Sequence, residues 1–157
     1  MDFVLLTVGS THIKFVNDGI GEYKSRLRRY IPFSLIELPD AKTGKTMSKE
    51  LHKEKEGKLI ISKLSASDRV VLLDERGTEF TSTGFASYIE KTMASGSKRL
   101  VFVVGGPYGF SDEVYSRANE KISLSRMTFN HEMVRIFFIE QLYRAMTIIR
   151  GEPYHHE

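Results

Sequence analysis

Apolar positions along the chain recur with two rhythms that alternate. Residues 3–8 (FVLLTV) form a nearly continuous apolar run closed by Gly9, the pattern of a short strand buried on both faces. Over residues 13–30 the apolar side chains Phe15, Val16, Ile20, Tyr23 and Leu27 fall three and four apart, which predicts a helix that Pro32 stops. Phe33–Leu38 alternates and predicts a second strand, closed by Pro39 and Asp40. Residues 48–64 predict a charged helix with Leu51, Leu59, Ile60 and Leu64 inward. Third and fourth strands are expected at 69–73 and 100–104. Between them Ser82–Ala94 reads as a helix with Phe85, Tyr88, Ile89 and Met93 on one side. A short helix near 112–119, a fifth strand at 121–124 and a long apolar helix over 131–149 complete the chain.

Strand and helix in this alternation imply an α/β domain: a mostly parallel sheet with helices on both faces. The 157 residues suit a single domain, 1–157, with room for a proper core. The last helix stands apart. From Met133 to Leu142 only Arg135, Glu140 and Gln141 interrupt its apolar surface. A helix greasy on most sides needs cover on most sides. It is either the central helix of the core or the seat of a homodimer interface, and the second reading is favoured.

Composition narrows the function. With 41% hydrophobic and 27% charged residues the chain is ordinary for a globular protein, which excludes a disordered or collagenous one. The apolar run 136–139 is far too short to span a bilayer. The absence of cysteine excludes a disulfide scaffold, a zinc ribbon, an iron–sulfur protein and a thiol enzyme, and it fits a reducing, cytoplasmic setting. Asp2 and the lack of a basic stretch at the start give no expectation of a secretory leader. Lys+Arg 23 against Asp+Glu 20 leaves a net charge of +3, which permits a nucleic-acid partner without demanding one.

Several motifs invite chemistry. Thr43-Gly44-Lys45-Thr46 follows a strand as a phosphate-binding loop would, but Pro39 stands where that loop needs its first glycine. A solvated basic loop is the better reading, and nucleotide hydrolysis is a remote one. The first strand-to-helix turn, Val8-Gly9-Ser10-Thr11-His12, holds a single glycine, too few for an ordinary dinucleotide site. Gly105, Gly106 and Gly109 follow the fourth strand at once. They read either as a tight turn or as a place where backbone approaches a ligand closely. Farther on, serines alternate with apolar residues from Ile122 to Phe129. His131 and Arg135 then sit four apart, a spacing that puts them on one side of a helix. His155 and His156 are sequence neighbours with no third ligand at sensible spacing, so no metal is expected.

In this order, these motifs resemble the ribosomal RNA large subunit methyltransferase H family, within the SPOUT (α/β-knot) class. The residues that carry the resemblance are Val8-Gly9, Gly105-Gly106-Pro107-x-Gly109 and Ser123-Leu124-Ser125-x-Met127-Thr128-x-x-His131-x-x-x-Arg135, then Glu140 to Ala145 and Gly151-x-Pro153-Tyr154-His155. The likeness runs the length of the chain and is most specific in its second half.

The resemblance implies a fold with a C-terminal deep trefoil knot, an exception to normal chain connectivity. It implies a homodimer that moves the methyl group of S-adenosylmethionine to N3 of a pseudouridine in 23S rRNA. The target lies in a stem-loop at the subunit interface of the assembled ribosome. Carried over residue by residue, the cofactor would touch Leu73 and Gly105 and be wrapped by Leu124, Ser125, Arg126, Met127, Thr128 and Phe129. His155 and His131 become candidates to accept the N3 proton, since imidazole titrates near neutrality. Arg135 and Arg144 become candidates to meet phosphate or a developing anion, and Tyr154 could stack on the base. Arg26, Arg28, Arg29, Lys42 and Lys45 are the expected RNA contacts, against the plainer reading of solvated side chains with Arg26 paired to Glu22. The alternatives are a knotted RNA- or ribosome-binding module without catalysis and a SPOUT enzyme acting on tRNA.

Overall fold

The computed structural model describes residues 1–41 and 46–156. Among these, strands β1 (Asp2–Val8), β2 (Phe33–Leu38), β3 (Arg69–Glu79), β4 (Arg99–Val104) and β5 (Glu120–Ser123) form one sheet in the order β2-β1-β4-β3-β5. Every strand pairing is parallel. The helices are α1 (Lys14–Leu27), α2 (Lys49–Ser62), α3 (Ser82–Ala94), α4 (Asp112–Arg117) and α5 (Met133–Ile149).

The layering follows from the handedness of crossovers. β1 to β2 and β3 to β4 step across the sheet in one direction, whereas β2 to β3 and β4 to β5 step in the other. Right-handed connections therefore put α1 and α3 on one face and α2 and α4 on the opposite one. Both faces need apolar cover, which explains the unbroken apolar strands. Phe3, Leu5, Val71, Leu100, Phe102 and Val104 face α1, α3 and α5. Their alternates Val4, Leu6, Val70, Leu72, Val101 and Val103 face Ile60 of α2 and Val114 of α4. The helix α5 lies against both α1 and α3, burying Phe138, Ile139, Leu142, Ala145 and Met146. It is the central helix of its layer.

Four sequence expectations shift. The strand β3 runs on to Glu79 because it pairs twice with β5, with a register shift between Leu73 and Thr78. Gly77 makes the second pairing possible, since a Cβ there would stand 2.5 Å from the Ile122 backbone. The inner side of α2 is Glu56, Gly57 and Ile60, while Leu51 is exposed. Phe15 of α1 is also exposed, and Val16, Ile20 and Leu27 form its buried face. Helix α5 begins at Met133, so His131 precedes it. The Asn130 side chain accepts the Glu132 N–H at 2.8 Å and ends the preceding loop there.

Candidate active site

The loops after β3 and β4 leave adjacent strands toward opposite faces, because α3 and α4 lie on opposite faces. In an open α/β sheet such a divergence leaves a crevice at the carboxyl ends of the strands. Here the crevice is a cavity of about 750 Å³. One wall is Leu73, Asp74, Glu75 and Arg76, after the regular part of β3. A second is Val104 with the loop 105–110, and a third is Ser123, Leu124, Ser125, Met127, Thr128 and Phe129, after β5. His131 and Val134 close it from the α5 side, and Lys49, Glu50 and Lys53 of α2 stand at its rim.

Each wall is held from behind. Asp74 accepts the Tyr115 hydroxyl and, at 2.8 Å, the Arg76 N–H. Burial and this carboxylate push the Tyr115 phenol up to about 12. Gly105 packs on the Phe110 ring, which a Cβ would meet at 3.0 Å. Gly109 adopts φ +80°, a left-handed turn that favours glycine, and its N–H donates to the Gly106 carbonyl at 3.2 Å. In the third wall the Ser123 hydroxyl donates to the Ser125 carbonyl at 2.9 Å, and the Ser125 hydroxyl accepts the Met127 N–H at 3.0 Å. The alternating serines thus brace the loop that lines the cavity.

The structure gathers Leu73, Gly105, Leu124, Ser125, Met127, Thr128, Phe129 and His131 around one cavity. Arg126 belongs to the same loop but points away, ion-paired with Glu79 at 3.1 Å. Arg135 is not free to meet phosphate or a developing anion. It is fully buried. Its guanidinium donates to the Val8 carbonyl at 2.9 Å, to the Thr11 hydroxyl at 2.8 Å and to the His131 carbonyl at 3.2 Å, with Glu37 at 3.8 Å. Those bonds give it to the scaffold, not to a substrate. Burial pulls its pKa down, and Glu37, Glu132 and Asp40 oppose that pull.

The C-terminal tail lies elsewhere. Residues 152–156 fold back at the far end of α5 from the cavity. The Tyr154 hydroxyl donates to Glu140 at 3.0 Å, and its ring packs edge-on against Tyr143. Arg144 lies 4.8 Å over the Tyr154 ring, reaches His155 Nδ1 at 3.2 Å and pairs with Glu140 at 2.5 Å. Within one chain, then, Tyr154, His155 and Arg144 form a second cluster and do not cover the crevice. Arg26 pairs with Glu22 at 2.8 Å, which lifts its pKa, while Arg28 and Arg29 are exposed at the end of α1. Lys42 and Lys45 lie outside the described residues.

Sequence reading missed the groups that hold the site. Glu132 accepts the Ile13 N–H at 2.9 Å and the His12 N–H as well, tying the first turn to the start of α5. These bonds hold its carboxyl below the usual range. Glu37 does the same for Thr11, whose N–H it accepts at 2.8 Å. Glu37, Asp74 and Glu132 sit where any surface acid might. Their only sequence signal is their place at or next to the carboxyl end of a strand or the start of a helix. Among the described residues no three His, Cys, Asp or Glu side chains gather as a metal ion would require, and no helix is long and apolar enough to cross a membrane.

A parallel α/β sheet with a glycine-walled crevice at its carboxyl edge, closed by the loop that leads into the last helix, defines a ligand-binding α/β enzyme class. The family model described as "Predicted SPOUT methyltransferase" matches residues 1–155, and the chain belongs to that family. It is 56% identical to the Ribosomal RNA large subunit methyltransferase H of Parabacteroides distasonis over 157 residues, 100% of both chains. Against the protein of the same name from Flavobacterium johnsoniae it is 54% identical, again over 100% of both. Against that of Cytophaga hutchinsonii it is 54% identical over 99% of this chain and 100% of the relative. It is therefore a methyltransferase, an enzyme class that draws on a methyl donor and here has RNA as its substrate class.

Two outcomes follow from the geometry. Arg135→Met leaves buried acceptors unpaired and should cost about 3–5 kcal/mol, a fall of roughly 10 °C or more in Tm; thermal melting checks it. Tyr30, Tyr88 and Tyr115 are each pushed up to about 12, Tyr30 by its bond to Glu152 and the other two mainly by burial. The folded chain thus favours the neutral phenols. The stability they contribute is complete below the ordinary value near pH 10 and is lost as pH rises toward about 12. Ultraviolet titration of the native protein should show these phenolates emerging late, together with unfolding.

Proposed function

We propose that this chain transfers the methyl group of S-adenosylmethionine to N3 of a pseudouridine in 23S rRNA, on the assembled ribosome in the cytoplasm and as a homodimer. The observation that carries this reading is the crevice between β3 and β4, in a chain alike over its whole length to proteins named Ribosomal RNA large subunit methyltransferase H.

The residues present fit that donor. Leu73, Val104, Leu124 and Phe129 offer apolar walls for a flat base, and Gly105 and Gly106 allow close backbone approach. Asp74 and Glu75 put negative charge beside a cationic sulfonium and ammonium. Leu73, Gly105 and the backbone of Leu124, Ser125, Arg126, Met127, Thr128 and Phe129 would hold it. When bound, the donor supplies an electrophilic methyl group. The chain's own task is to hold the acceptor base at near-attack distance and to help the N3 proton leave. His131, exposed at the rim of the crevice, is one candidate acceptor for that proton.

The other, His155, points to the dimer. Helix α5 has 17 residues, so it runs about 25 Å. Its start borders the crevice and its end carries the docked tail. A tail docked there serves the crevice of a second copy packed across α1 and α5. Phe15 and Phe137, on these two neighbouring helices, are 64% and 41% exposed and offer that copy apolar surface. The deep trefoil knot fits the same path, since residues 124–132 run from β5 at the sheet edge to the turn between β1 and α1. Arg28 and Arg29, exposed and near the tail, suit phosphate contact.

Purified chain with labelled S-adenosylmethionine should methylate assembled ribosomes lacking the modification, with N3-methylpseudouridine found by mass spectrometry of the nucleosides. Transfer to tRNA alone, or to no RNA, overturns the reading. His155→Ala should depress the rate, and deletion of residues 154–157 should abolish it. Mixing the tail-deleted chain with Gly105→Trp, each inactive alone, should restore about a quarter of the wild-type rate, because half the pairs then hold one complete site. No recovery argues against a tail shared between copies.

A further inference from the structure

Helix α2 reaches beneath the crevice with a buried acid. Glu56 is 3% exposed. Its Oε1 bonds His52 Nε2 at 2.7 Å. Its Oε2 is buried with no hydrogen bond of good geometry among the described residues. Burial pushes the Glu56 carboxyl above its ordinary range, Asp40 adds to this, and His52 and the Gly106 N–H offset part of it. Both carboxylate oxygens abut Gly106, where a Cβ would stand 2.4 Å from each. One turn earlier the His52 ring meets the Tyr108 ring edge-on at 5.2 Å, and Lys49 Nζ lies 5.6 Å over the same ring. The helix thus grips the glycine loop 105–109 at two points.

That loop needs an outside grip. Its glycines lose much backbone entropy on ordering, and its own bracing is the single Gly106–Gly109 bridge. The helix is itself fixed close by. Gly57 packs on Ser111, the N-cap of α4, where a Cβ would come within 2.3 Å of the hydroxyl. A buried, half-satisfied carboxylate costs stability. An apolar side chain of the same length would pack there at lower cost, so the acid is unexplained by folding alone.

We propose that Glu56, held by His52, is a positioning residue for methyl transfer: it fixes the wall 105–109 of the crevice and thereby sets donor affinity without touching the donor. This rests on the crevice being the donor site, as proposed above. The acid acts as a latch on backbone. The Gly106 position lacks a Cβ because the carboxylate occupies that space, and Tyr108 is pinned by the imidazole that the same carboxylate orients.

Glu56→Met keeps the volume and removes the latch, and Glu56→Gln keeps part of the polar contact. In donor-free protein, hydrogen exchange of amides 105–109 should quicken about tenfold in Glu56→Met, with β1 and β4 unchanged. Its Tm should hold or rise, while the KM and Kd for S-adenosylmethionine rise about tenfold and kcat stays within about twofold. Glu56→Gln should fall between Glu56→Met and wild type. Unchanged exchange in the loop, faster exchange across the whole sheet, or a drop in kcat at unchanged KM overturns the proposal. If the wild-type chain itself binds no S-adenosylmethionine, the donor-site reading fails, and the exchange and melting data alone decide the latch.

Discussion

The guanidinium of Arg135 closes the carboxyl end of the sheet. It joins two pieces of chain that are far apart in sequence: the end of β1 and the turn after it, through the Val8 carbonyl and Thr11, and the residues just before α5, through the His131 carbonyl. Glu37, from the end of β2, completes the set by accepting from Thr11 and facing the guanidinium. A buried cation is stable only when its donors are matched. The match therefore fixes where residues 124–132 must pass, and with them the third wall of the crevice.

Around that fixed point the site is a set of loops held by acids. Glu132 captures the amides that open α1, Asp74 captures Tyr115, and Glu56 stands under Gly106. Glu132 and Asp74 bond backbone and phenol across a long sequence separation, and Glu56 packs against a glycine 50 positions away. Charge-assisted bonds such as those of Glu132 and Asp74 are stronger than neutral ones and hold geometry well. The cavity walls are glycine, serine and short apolar side chains, so their shape comes from what lies behind them. This division suits a methyltransferase, where orientation of two partners contributes much of the rate.

The two ends of α5 carry different work. Its start borders the crevice, and its end carries Arg144, Glu140 and the docked Tyr154 and His155. The apolar surface of α5 is consumed mostly by the core between α1 and α3, with Phe137 left outside. The core reading and the interface reading of that helix do not exclude each other: one side is central, and Phe137 on α5 and Phe15 on α1 are both exposed.

Periodicity carried the architecture. Unbroken apolar strands such as 100–104 and helices with threefold and fourfold spacing such as Ser82–Ala94 demand a parallel sheet covered on both faces, because nothing else buries them. The glycine and serine motifs carried the crevice, since residues that free or bend the backbone at strand ends have little other use there. The roles of Arg135, Glu56 and Glu132 were decided only in three dimensions. A charged residue reads the same in sequence whether it is solvated or buried, and the bonds from Glu37 to Thr11, from Glu132 to Ile13 and from Arg135 to Val8 span 26, 119 and 127 positions along the chain. The strand β3 was likewise cut short in the sequence reading because its second pairing with β5 depends on Gly77 lying flat on Ile122, a contact between elements and not a property of either. Local pattern sets what each segment must bury, and only packing sets which charges are spent on holding the segments in place.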